Sequence, residues 1–203
     1  MVISEARIEL WNPAVPIKLA PLVELDDEQL YEFCQLNRDL RIERDAHGVL
    51  VLMAPAGGGS SARNLELCRQ LANWAAQDGS GIAFDSSAGF ILPNGALRSP
   101  DAAWVRRARW DALAPAEREK FVPLCPDFVI ELRSPSDRLP PPQRRLREFM
   151  RNGAQLGWLI DPGRRSVHIY RPAEPVQTVL SPERLSADPV LSGFVLDLSP
   201  TFA

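Results

Sequence analysis

Residues 126–137 read PDFVIELRSPSD. Phe128, Ile130 and Leu132 alternate with Asp127, Val129, Glu131 and Arg133, the period of two that marks a strand with one apolar and one mixed face. Ser134-Pro135-Ser136 stops the pattern, because proline has no amide proton to give to a sheet ladder. Neighbours on one face of a strand lie about 6–7 Å apart, so Glu131 and Arg133 stand side by side on the mixed face. Such a pair is either a salt bridge at a sheet edge or half of a catalytic site.

A second acid sits in a similar frame. Asp101, in RSPDAAWV, opens an apolar strand and has only Ala103 beside it on its own face. If the two strands are adjacent, the two carboxylates can share one divalent ion. Mg²⁺ takes oxygen ligands, usually one or two carboxylates with water and substrate phosphate completing the shell. A cation at Arg133, or on the helix that follows, would balance charge building up on phosphorus. On the residues alone, an acid near the end of an apolar strand is more often a salt-bridge or turn-capping group, and spacing does not choose between the readings.

Outward from these strands, the remaining elements follow from periodicity and punctuation. DDEQLYEFCQLN is a helix capped at Asp26–Asp27, and RIERDAHGVLVLMAP is a hairpin turning at Ala46–His47–Gly48. GGGSS is a loop in which Ser60 or Ser61 caps ARNLELCRQLANWAAQ, with Leu67, Leu71 and Trp74 inward and a stop at Asp78–Gly79. Pro93-Asn94-Gly95 is a hairpin turn, and DALAPAEREK forms a surface helix. Three prolines lead into QRRLREFMRNG, which turns Leu146, Phe149 and Met150 inward. LGWLIDPGRRSVHIYRP is a hairpin, and EPVQTVLS and GFVLDLS are two closing strands. This order predicts an α+β or mixed α/β protein whose central mixed sheet is flanked by helices. Residues 1–203 are expected to form a single domain, with 1–40 as an extended arm plus helix.

Composition narrows the function classes. The net charge is −3 and basic residues are 21 Arg against two Lys, Lys18 and Lys120. There is no global signature of nucleic-acid binding, so any such surface must be local. Arg144, Arg145, Arg147 and Arg151 on one short helix make the best basic surface, giving phosphate affinity without sequence choice. Cys34, Cys68 and Cys125 are odd in number and set among apolar residues, as free thiols of a reducing compartment are. No membrane-length apolar run or secretory signal is present, and a cytoplasmic location is expected. GGG without a following Lys-Ser/Thr excludes a phosphate-cradling P-loop.

The segments FDSSAGFILPNGALRSPDAAWV, LCPDFVIELRSPSDRL and GWLIDP, with QRRLREFMRNG between the last two, resemble the Uma-type family of restriction endonucleases, of the PD-(D/E)XK superfamily. They cover nearly half the chain in matching order. The resemblance implies a restriction-endonuclease-like fold, Mg²⁺ (with Mn²⁺ as substitute), a nucleic-acid substrate with DNA first, and a homodimer or higher homo-oligomer. It sets the family's motif aspartate on Asp101 and its glutamate on Glu131, both as metal ligands. Glu66, on the first long helix, is the one candidate for a supplementary metal ligand, although it lies off the apolar stripe. The family's lysine, in a Q-x-K pattern, falls on Arg145 of Gln143-Arg144-Arg145, and the strand position two after Glu131 is Arg133. Arginine stays charged and cannot act as a general base, but it can hold phosphate. Two readings follow: a metal-dependent endonuclease, weakened by the missing lysine, or a catalytically silent nucleic-acid-binding or assembly module of the same fold.

Overall fold

The computed structural model describes residues 15–17, 25–134 and 140–203. Most of the N-terminal arm and residues 135–139, where the quoted stretch ends, lie outside the described residues. In chain order the elements begin β1 (Val15–Ile17), α1 (Asp27–Leu36), β2 (Arg41–Arg44), β3 (Leu50–Met53) and α2 (Gly58–Asp78). Then come β4 (Gly81–Asp85), β5 (Phe90–Ile91), β6 (Leu97–Arg98) and β7 (Ala102–Arg106). They continue with α3 (Arg107–Asp111), α4 (Pro115–Arg118), β8 (Phe128–Leu132) and α5 (Pro140–Arg151). Last are β9 (Leu156–Asp161), β10 (Ser166–Tyr170), β11 (Gln177–Leu180), β12 (Arg184–Ser186) and β13 (Val195–Asp197).

A six-stranded sheet runs β11-β10-β9-β8-β7-β4, and a five-stranded sheet runs β1-β3-β2-β6-β5. Within the larger sheet β8 and β9 are parallel, with α5 as their crossover, and the other pairs are antiparallel. A parallel neighbour requires such a connection, since a tight turn only reverses the chain. Residues 99–101 link β6 in one sheet to β7 in the other. The architecture is the mixed α+β arrangement that the order of elements predicts.

The quoted strand is covered on both faces. Phe128 and Ile130 pack with Leu67 and Leu71 of α2, whereas Val129 packs with Leu146 and Phe149 of α5. Each fully buried side chain of this size contributes about 1.5–3 kcal/mol, and Phe128, Val129 and Ile130 are all sealed from solvent. The mixed face of β8 is therefore an interior face under α5. Gly81 lets β4 meet β7 closely, because a Cβ there would lie 2.3 Å from the Val105 carbonyl oxygen and 2.3 Å from the Trp104 ring.

Several local elements differ from the sequence expectation. Helix α2 begins at Gly58 with Gly57 as its cap residue and no side-chain cap, so neither Ser60 nor Ser61 caps it. DALAPAEREK is not one helix. Pro115 opens the four-residue α4 after α3 has ended, as proline suits a first helical position and interrupts a continuing one. GFVLDLS supplies β13, which pairs with the unanticipated β12 in a separate ribbon. Asp26 does cap α1, accepting the Gln29 amide at 2.8 Å, and Gly79 closes α2 in the left-handed region.

Candidate functional site

Asp101 and Glu131 meet at the junction of the two sheets. Ala102 pairs with Ile130 and Ala103 with Val129, so one further step in this antiparallel register sets Asp101 opposite Glu131. The Asp101 side chain takes over the ladder at that step, with Oδ2 accepting the Leu132 amide at 2.7 Å. Its own carbonyl accepts the Cys68 thiol from α2 at 3.3 Å. Glu131 is 7% exposed and its Oε1 accepts Arg145 Nε at 3.2 Å and Nη2 at 3.0 Å.

A third acid completes the cluster. Glu43 of β2 is 1% exposed. Its carboxylate accepts Arg145 Nη1, Arg145 Nη2 at 3.0 Å, Arg98 Nη1 at 3.3 Å and the Ser99 amide at 2.9 Å. Arg145 Nη2 also donates to the Ser99 carbonyl at 3.3 Å, and Arg41 Nη2 donates to the same oxygen at 3.1 Å. Arg98 in turn holds Glu148 of α5 at 2.7 Å. Helix α5 is thus clamped over the sheet junction by three arginine-carboxylate pairs, two from Arg145 and one from Glu148 a turn further on.

Sequence reasoning missed Glu43. It reads as the polar member of a hairpin strand, yet Ile42, Glu43 and Arg44 are all buried, which a two-faced strand would not permit. The available signal was an acid between two arginines in a strand paired with the apolar Leu50–Met53. Glu66 is not brought to the pair. It accepts Arg69 at 2.6 and 2.7 Å and Gln70 at 2.9 Å on α2, across the sheet from the Asp101–Glu131 face. Arg133, two residues beyond Glu131, donates from Nη1 to Asp161 Oδ2 at 2.7 Å and lines a cavity of about 50 Å³ with Ser60 and Arg63 of α2.

Burial and crowding set the ionisation of the cluster. The Glu131 carboxyl is pushed up to about 7, first by burial and then by Asp101 and Glu43, against the attraction of Arg145. Burial likewise raises Asp101, with Glu43 adding to it and the Leu132 amide, Arg41 and Arg145 opposing. Burial is the largest single influence on Glu43 too, but Arg145, Arg98 and the Ser99 amide together outweigh it and lower its pKa. Burial works against the charge on Arg145, and Glu131 and Glu43 overcome it to hold the guanidinium protonated.

A family model described as "Uma2: Putative restriction endonuclease" matches residues 27–199. The chain belongs to the Uma2 family. The crystal structure titled as a putative nuclease belonging to DUF820 from Anabaena variabilis ATCC 29413 shares the Uma2 chain's fold, with a TM-score of 0.67. The two are 21% identical, over 79% of this chain and 89% of that one. No curated protein matches it. Among the described residues of this Uma2 protein, no helix is long and apolar enough to cross a membrane.

Two carboxylates facing each other suit a hard cation that keeps most of its water. Among the described residues, Asp101 Oδ1 and Glu131 Oε2 accept no hydrogen bond, so each acid retains an oxygen for a ligand. No three His, Cys, Asp or Glu side chains there form a metal cluster of their own. A pair of carboxylates would fit Mg²⁺, which binds through one or two carboxylates rather than an all-protein cage.

Proposed function

We propose that this Uma2 protein is a Mg²⁺-dependent endonuclease that hydrolyses DNA phosphodiester bonds at Asp101 and Glu131. The observation that carries the reading is the register that sets half-buried Asp101, just before β7, opposite buried Glu131 of β8, with burial and a neighbouring acid raising the pKa of each. A divalent cation bound between them would offset that repulsion. When bound, Mg²⁺ supplies Lewis-acid polarisation of the phosphodiester and a more acidic water. Asp101 and Glu131 would hold it, while Leu132 and Arg145 orient their carboxylates. Arg145 fixes the Glu131 carboxylate, and Arg133, two residues beyond Glu131 and partly exposed, supplies positive charge towards phosphate. Arg144, Arg147 and Arg151 lie exposed on α5 at intervals of three and four residues, one outward stripe for a nucleic-acid backbone.

The test is nicking of supercoiled plasmid with Mg²⁺ or Mn²⁺. The native protein is expected to convert plasmid to nicked and linear forms, and Glu131→Ala to lose that conversion. No cleavage by the native protein, or equal cleavage by both, disposes of the enzyme. A second reading, a silent nucleic-acid-binding module, draws on one observation: all three guanidinium nitrogens of Arg145 are engaged with Glu43, Glu131 and Ser99, and arginine is no general base. Retained DNA binding without metal uptake would select it.

A further inference from the structure

We propose that Arg145 is a resident counter-cation that competes with the divalent ion for Glu131, so that the Glu43–Arg145 pair sets how tightly the site takes metal. This rests on the metal reading above and adds its regulation. Arg145 sits with Nε and Nη2 both on Glu131 Oε1, at 3.2 and 3.0 Å, and is held in that place from the other side by Glu43. Its guanidinium is permanently charged and feels Glu131 and Glu43 as its strongest attractions. A divalent ion on Glu131 Oε2 would share that carboxylate with a fixed positive charge, at close range and in a poorly solvated interior, where like-charge repulsion is far stronger than in water. Glu43 is itself anchored by Arg98 and the Ser99 amide, which prevents the arginine from swinging out with its partner.

Mn²⁺ binding to the full chain without DNA, measured by calorimetry, separates this role from a structural one. Losing a merely structural residue weakens binding, whereas losing a competitor strengthens it. Arg145→Lys keeps the charge but cannot fork onto two carboxylates, and is expected to bind Mn²⁺ several-fold more tightly than the native chain. Arg145→Gln removes the charge and is expected to gain about tenfold or more. Glu131→Gln is expected to lose binding. Circular dichroism confirms the fold of each, and if Arg145→Gln does not fold, Arg145→Lys decides. Equal or weaker affinity in folded Arg145→Lys overturns the competition while leaving the metal reading intact, provided Glu131→Gln still abolishes binding. No Mn²⁺ uptake by any member of the series removes the metal reading and this inference with it.

Discussion

Glu131 is held in the folded chain under burial and beside two other acids, which raises its pKa and makes stability depend on pH. Its ordinary pKa of 4.5 rises to about 7 in the folded chain. Between those values the native state keeps a proton that the unfolded state has released, so stability falls as pH rises through this window and levels off above it. The loss is on the order of 3 kcal/mol for metal-free protein. Urea denaturation at pH 5 and pH 8 should show it, and Glu131→Gln should reduce the difference, the remaining slope coming from Asp101, whose pKa is shifted in the same direction. An unchanged slope in the variant would mean that Glu131 ionises normally beside Arg145. Glu43 behaves oppositely: its lowered pKa supplies stability that is present above the ordinary carboxylate range and lost on acidification.

At the scale of an element, α5 serves two faces at once. Leu146 and Phe149 fill the core beneath it, Arg145 and Glu148 clamp it to Glu43, Glu131 and Arg98, and Arg144, Arg147 and Arg151 are left outward. Of the four arginines that the sequence groups as one basic surface, Arg145 is thus removed from it by turning inward. Replacing the three exposed arginines with glutamine is expected to weaken DNA binding at every sequence tested. It should also reduce the slope of log affinity against log salt by about three, as read by filter binding over a salt series. A change confined to particular sequences would instead assign base contacts to this helix. The fold itself should be untouched, since exposed charges of this kind contribute little to stability.

Among the described residues, the large sheet separates two apolar clusters, a third lies where α1 meets the small sheet, and the site lies on the α5 side of the large sheet. The α2 side holds Trp74, Trp104, Phe128, Trp158 and Phe194 in ring contact. Phe194, 1% exposed, stacks on Trp158 at 6.2 Å between centroids and ties the β12–β13 ribbon to the large sheet. Phe194→Ala should cost about 3–5 kcal/mol, seen as a lower urea midpoint, because it removes a buried ring in contact with Trp74, Phe128 and Trp158. Metal affinity at the Asp101–Glu131 pair, which lies on the α5 side, should change little in protein that remains folded. A loss of binding in step with stability would show that the two cores are not independent.

What the chain's own pattern determined was local. Period-two alternation set β7 and β8, helical spacing set the inward stripes of α2 and α5, and Asp26, Gly79 and Pro93-Asn94-Gly95 marked caps and a turn. Each is decided by residues two to four positions apart, within reach of a single element's geometry. The candidates Asp101 and Glu131 were legible because one immediately precedes an apolar strand and the other lies within one. Glu43 was not, since its importance comes from Arg145, 102 residues away in sequence, and from the docking of β2 beside β6. The inward turn of Arg145, the separate β12–β13 ribbon and the burial of both faces of β8 were likewise settled by packing. A charged side chain's role depends on which opposite charges share its desolvated volume, and only the assembled sheets define that volume.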